Sequence, residues 1–224
     1  MLRINNLIII GGMSCSGKSF LMNKIQEGHF PLLSEQLGIN DPSLWHYIAA
    51  CKRFPKLSKS ISEKVVIHYD MYNNYSLSNG FKHLEELIAS SGNVIVLTLC
   101  VSRKMLFRHN TQRVIQQFLP NSHEKSHKRT LQYRLRKIRL LLMTRHAYKD
   151  VSVILNLYEK WFNYINTFNS RSVKKHFLLD YPGSNNIIAS DFCLINHPMH
   201  ARDVHFCSQF KDNFNDSSEQ VCGK

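Results

Sequence analysis

The run Leu7-Ile8-Ile9-Ile10 passes directly into Gly11-Gly12-Met13-Ser14-Cys15-Ser16-Gly17-Lys18-Ser19, and this junction constrains the chain more than any other feature. Four consecutive apolar side chains cover both faces of a strand, which suits a central parallel strand. Leu2 to Ile10 therefore reads as a first strand, Gly11 to Gly17 as a loop rich in glycine and serine, and Lys18 to about Glu27 as a helix. A buried strand, a tight loop and a helix in succession open an α/β unit.

The loop also has a chemistry. Gly12, Met13, Ser14, Cys15, Ser16, Gly17, Lys18 and Ser19 satisfy G-x-x-x-x-G-K-[ST] in full. Glycines let backbone N–H groups turn inward around phosphate oxygens. The helix starting there adds its own N–H groups and the positive end of its dipole. Lys18 supplies a point charge for the β and γ phosphates, and the Ser19 hydroxyl suits Mg²⁺, which takes oxygen ligands. On these residues the chain resembles the P-loop NTPase superfamily and, within it, the small kinases of nucleosides, nucleotides and sugars. The resemblance is specific over the first strand, loop and helix, and only architectural beyond about residue 30. It implies ATP and Mg²⁺ as cofactors and a three-layer α/β fold with a central, mainly parallel sheet.

The rest of the chain alternates strand and helix patterns, which agrees with that fold. Asp41-Pro42 predicts a helix start, with Asp as cap and Pro in the first turn, leading into Ser43 to Lys52. Val65 to Tyr69 is a short strand and Gly80 to Ser91 a helix. Asn93 to Val101 is a second buried strand. Ser102 can cap a helix to about Leu119, where Pro120 stops it. Leu131, Leu135, Ile138 and Leu142 fall at helical spacing and predict an apolar stripe on a second helix, about 125–146. Asp150 can cap a third helix through Trp161 to about Phe168. His176 to Leu179 is a late strand, and Ile187 to Phe192 a last element. The expected organisation is one domain over 1–210, with a polar tail over 211–224.

Asp70 ends the strand Val65-Val66-Ile67-His68-Tyr69. In a parallel sheet with the phosphate loop at its carboxyl edge, Asp70 shares a rim with Lys18. A carboxylate there can hold Mg²⁺ or accept a proton from an attacking hydroxyl. Asp70-Met71-Tyr72 is similar to the D-x-[FY] stretch of uridine-kinase-like enzymes, whose aspartate faces the acceptor. The Val94 to Cys100 strand ends without an acid, which leaves the metal-side carboxylate to Asp70. Asp180, after His176 to Leu179, is a second candidate on the rim, or a turn residue with Tyr181-Pro182-Gly183.

The net charge of +13 is not spread evenly. Arg103 to Lys149 holds thirteen basic residues and one acid, Glu124, while the remaining residues are nearly balanced. Solvated helices ordinarily mix both signs. The stretch follows the Val94 to Val101 strand, where the resembling kinases leave the sheet for a basic helical lid, here 102–149. Lid arginines fold over the transferred phosphoryl group, and the planar guanidinium grips two oxygens at once. Arg103, Arg108 and Arg113 are the first candidates, with Arg129, Arg134 and Arg136 on the next helix.

Other classes fall away. The composition is too apolar for a disordered chain. The longest apolar runs are far short of the roughly 20 residues a membrane helix needs. Met1 to Gly11 does not read as a signal peptide. Cys15, Cys51, Cys100, Cys193, Cys207 and Cys222 show no C-x-x-C, so reduced thiols and a cytoplasmic setting are expected. The twelve histidines match no metal spacing. Trp45-His46-Tyr47 reads as core or as acceptor-pocket lining, and Tyr158 with Trp161 as packing.

The expected activity is transfer of the ATP γ-phosphoryl group to a hydroxyl of a small, anionic or sugar-like acceptor. Catalysis falls to Lys18, Asp70, Arg103, Arg108 and Arg113, and Mg²⁺ to Ser19 and Asp70. Two alternatives stand beside it. A sulfotransferase-like enzyme would hold a 5′-phosphosulfate donor, although Ser102-Arg103 has its second phosphate pair in reverse order. A nucleotide-gated binding protein would dock nucleic acid or an acidic partner on the basic stretch, with affinity falling steeply with salt.

Overall fold

The computed structural model describes residues 4–50, 64–72, 84–101, 103–118, 131–167, 173–180 and 192–195. Strand β1 (Ile4–Gly12) lies at the centre of a six-stranded sheet with β2 (His46–Ala50), β3 (Lys64–Asp70), β4 (Ser91–Cys100), β5 (Val173–Asp180) and β6 (Phe192–Ile195). The order is β2-β3-β1-β4-β5-β6. The first five strands are mutually parallel, and β6 closes the edge antiparallel to β5. Leu7, Ile8, Ile9 and Ile10 are each at most 1% exposed. The apolar run is therefore covered on both sides, as a central parallel strand requires.

Helix α1 (Lys18–Gln26) and the short α2 (Pro31–Gln36) follow β1, α3 (Glu85–Ala89) precedes β4, and α4 (Arg103–Phe118), α5 (Leu131–Ala147) and α6 (Val151–Asn166) lie between β4 and β5. The period-2 alternation of β3 shows both covered faces. Tyr69 points to α6 and stacks on Trp161, with ring centroids 5.5 Å apart. His68 points the other way and meets Ser19 of α1 at 3.4 Å. Helices thus cover the sheet from both sides, and the three-layer α/β reading holds.

α6 is held by specific polar contacts as well as by burial. Asp150 caps it by accepting the Ser152 N–H at 2.8 Å, as its sequence position predicts. Trp161 Nε1–H donates to Thr98 Oγ1 at 2.9 Å, and the Tyr158 hydroxyl donates to the Leu99 carbonyl at 2.8 Å. Gly11 is required here: a Cβ at that position would lie 2.7 Å from Cζ2 of Trp161. The ring packs straight onto the strand backbone, so both aromatics serve packing.

Three sequence expectations are corrected. The loop was expected to begin at Gly11, but Gly11 and Gly12 belong to β1, paired with Tyr69 and Asp70 on one side and Thr98 and Leu99 on the other. The helix expected over Ser43 to Lys52 is a single 3₁₀ turn, Pro42–Leu44, followed by β2. Asp41 does cap that turn through the Ser43 N–H, but Trp45 is already extended at φ −108° and ψ 141°. The run His46-Tyr47-Ile48 pairs with β3, so sheet pairing overrides the local helix start. Trp45 is 8% exposed and belongs to the core.

The third correction concerns α5. Its expected apolar stripe is not its buried face: Leu135 is 54% and Leu142 49% exposed. Leu141, Thr144 and, just past the helix, Tyr148 face inward instead. The last element, expected over Ile187 to Phe192, meets β6 at Phe192, and residues 187–191 lie outside the described residues. Ser102, Arg129 and the tail over 211–224 lie outside the described residues.

Candidate active site

The carboxyl edge of the parallel sheet presents the site. β1 ends at Gly12, whose register partner on β3 is Asp70. The loop turns sharply after it, with Cys15 at φ 67° and Gly17 at φ 91°. Both angles lie in the left-handed region, which glycine enters without steric cost and cysteine does not. A Cβ on Gly12 would lie 2.8 Å from Ser16 Oγ, so the loop closes tightly over the strand end. α1 then opens at Lys18 with Gly17 as its cap residue and no side-chain cap. Such a helix start is suited to an anion.

Lys18 is 4% exposed. Its Nζ donates to the carbonyls of Met13 at 2.6 Å and Gly12 at 3.0 Å, and lies 3.4 Å from Ser16 Oγ. Asp70 Oδ2 is 3.7 Å away and offsets its charge. The ammonium thus sits inside the ring of the loop, held by carbonyl oxygens, and the carboxylate of the neighbouring strand faces it. Two expected members of the site, Lys18 and Asp70, are brought together.

Ser14 completes this arrangement. Its hydroxyl lies 2.8 Å and 2.7 Å from the two oxygens of Asp70 and shares one proton between them. The Ser14 carbonyl accepts the hydroxyl of Tyr148 at 2.8 Å. Tyr148 is fully buried, and burial pushes its phenol pKa well up, so it stays a neutral donor. The Cys15 carbonyl meets His109 Nδ1 of α4 at 3.0 Å. Asn110 donates to the Leu141 carbonyl at 3.1 Å and lies 3.8 Å from Cys15 Sγ. The α4–α5 pair is therefore fastened to the phosphate loop at successive residues, Ser14 and Cys15. Burial raises the Cys15 thiol pKa, which keeps it protonated and unreactive.

His68 is the residue that the sequence reading missed. It shares a face of β3 with Asp70, two residues on, and its Nδ1 is 3.4 Å from Ser19 Oγ. Burial, aided by the positive charge of Lys18, pushes its pKa down to about 4. The ring is neutral at pH 7 and can accept the Ser19 hydroxyl proton, which turns the oxygen lone pairs outward. The alternation of β3 was the available signal: a polar residue two before a rim carboxylate in a parallel strand points to the same side.

The basic helices are sorted by position. The charge of Arg113, on α4, bears on both Cys15, where it offsets part of the rise caused by burial, and His68, where it adds to the lowering led by burial. Arg103 lies over the ring of Phe107, 5.5 Å from its centroid, and Arg145 is 5.8 Å from the same ring. The charge of Arg103 acts on Asp150. Arg103 is thus engaged at the base of α4, while Arg108 is exposed on the helix surface. Asp180 ends β5 opposite Cys100, one strand beyond β4.

The donor set fits hard cations and phosphate. Ser19 and Asp70 offer oxygens on one rim, and among the described residues no group of three His, Cys, Asp or Glu could hold a metal ion. No described helix is long and apolar enough to cross a membrane.

An α/β fold with the phosphate loop between its central strand and first helix is the class that the sequence resembles. No family model matches the chain, and no curated protein matches it. Among solved structures it is similar to the crystal structure of polyphosphate kinase 2 from Arthrobacter aurescens TC1, at 15% identity and a TM-score of 0.36. The likeness covers 76% of this chain, and the chain spans 61% of that structure's length.

Proposed function

We propose that this chain is an ATP-dependent phosphotransferase that moves the γ-phosphoryl group to a small acceptor. The observation that carries the reading is Lys18 inside the loop ring with Asp70 of the neighbouring strand 3.7 Å away. Phosphoryl transfer needs positioning and charge neutralisation more than covalent chemistry from the protein. This site groups a cation, a carboxylate and a helix start at one edge of the sheet.

In this reading the loop N–H groups and the start of α1 bind the β and γ phosphates. Lys18 exchanges its carbonyl partners for phosphate oxygens, a stronger, charge-assisted contact. Ser19 and Asp70 would hold Mg²⁺, and His68 orients the Ser19 hydroxyl. An ion held there would supply positive charge against the phosphates. Asp70 accepts the proton of the acceptor hydroxyl. The acceptor oxygen bonds to the γ-phosphorus as the bridging bond to the β-phosphate oxygen breaks, and ADP leaves. Arg113 neutralises charge on the transferred group.

The test is release of ADP from ATP and Mg²⁺ over a panel of hydroxyl acceptors, with Asp70→Asn as control. The reading expects acceptor-dependent ADP and a phosphorylated product, with turnover lowered at least a hundredfold in Asp70→Asn. Equal rates in the two proteins, or no acceptor raising ADP release, would refute it.

A further inference from the structure

α5 turns an unusual face outward. Ile138, Arg139, Leu142, Met143, His146 and Ala147 fall at successive turns of one side of the helix, and with Tyr72 they line an open groove of about 630 Å³. That volume lies within the range of small-molecule sites. Leu142 is 49% and Met143 59% exposed, so two large apolar side chains face the groove and water. Methionine adapts to varied shapes. Among the described lining residues, Arg139 and His146 are basic, Tyr72 adds a phenol, and none is an acid.

The groove is coupled to the phosphate loop. Tyr72 lies two residues beyond Asp70, and partial burial, with the Asp70 charge added, raises its phenol pKa. The Tyr72 ring packs edge-on against Tyr148, with centroids 5.7 Å apart. Tyr148 in turn donates to Ser14, whose hydroxyl grips Asp70. Tyr72 thus joins the groove to the contacts that hold the carboxylate proposed to receive the acceptor proton.

We propose that this groove is the acceptor site and that it takes an amphiphile, an aromatic or aliphatic body carrying an anionic group. The inference rests on the phosphotransferase reading for the word acceptor, and on the groove alone for the ligand class. The apolar body lies against Ile138, Leu142 and Met143. The anion pairs with Arg139, a charge match that a neutral sugar does not supply.

The probe is 2-naphthoate, titrated into the full chain by calorimetry or fluorescence, with acetate and 2-naphthalenemethanol as the arms lacking ring or charge. The native protein should bind naphthoate at least tenfold more tightly than either arm. Arg139→Gln should reduce naphthoate to the affinity of the neutral alcohol, and Met143→Gln should weaken both ring compounds about tenfold. Both residues are exposed, so these variants fold. Unchanged affinity in the two variants would overturn the proposal. Loss of naphthoate binding in Lys18→Ala would also overturn it, by placing the probe in the phosphate loop. So would binding to phosphatidylserine vesicles that the same variants abolish while naphthoate does not bind, since a membrane would then be the partner. Naphthoate binding retained without any Mg·ATP binding would refute the phosphotransferase reading and leave the groove standing.

Discussion

Ser14 and Asp70, 56 residues apart, are joined through one hydroxyl that lies within 2.8 Å of both carboxylate oxygens. The contact fixes the second residue of the loop to the rim of the neighbouring strand. It orders the carboxylate before any ligand arrives. Ser14→Ala removes that donor from a nearly buried position. Hydrogen bonds to charged groups contribute about 1.5–3 kcal/mol, and urea unfolding of the variant should show a loss in that range. A loss under about 0.5 kcal/mol would mean that the pair is not formed in solution.

His68 makes stability depend on pH. Its pKa is about 4 in the folded chain, against an ordinary 6.5. The unfolded chain therefore binds this proton first as pH falls. Above pH 6.5 neither state is protonated and no penalty arises. Between about 6.5 and 4 the folded state loses up to about 1.4 kcal/mol per pH unit, and below 4 the penalty is constant. Unfolding of the ligand-free protein across this window should show that slope, and His68→Asn should flatten it. An identical slope in the variant would assign the effect to other groups.

Much of the fold was legible in the residues. Leu7 to Ile10 announced a central strand, Asp150 announced α6, and the motif from Gly12 to Ser19 announced the loop. What failed had physical causes. Asp41-Pro42 is a sound local helix start, but β3 offered His46 to Ala50 a sheet edge, and pairing prevailed. On α5 the periodic leucines were real, but its orientation was decided by two distant bonds, from Tyr148 to Ser14 and from Asn110 to the Leu141 carbonyl. No pattern within α5 carries that information. The same holds for the site: Lys18 and Asp70 could be placed on one rim from the sequence, whereas the Ser14 and Tyr148 contacts are set by tertiary packing.

The basic stretch divides into arginines near the loop and arginines held elsewhere. Arg113 acts electrostatically on Cys15 and His68, whereas Arg103 rests on Phe107 at the base of α4. Arg113→Gln should lower kcat at least tenfold, about 1.4 kcal/mol of transition-state stabilisation, with thermal stability nearly unchanged because the residue is exposed. Arg103→Gln should leave kcat within about threefold. The reverse ranking in steady-state kinetics would move the phosphate contact to the start of α4.

Lys18 is the hinge of the whole account, because it links the loop carbonyls, Asp70 and the expected phosphates. Calorimetric titration of Mg·ATP into the native chain and into Lys18→Ala measures that role most directly. Saturable binding by the native protein, weakened at least a hundredfold in the variant, is the predicted result. Equal affinities in the two, or no binding by the native chain, would contradict it.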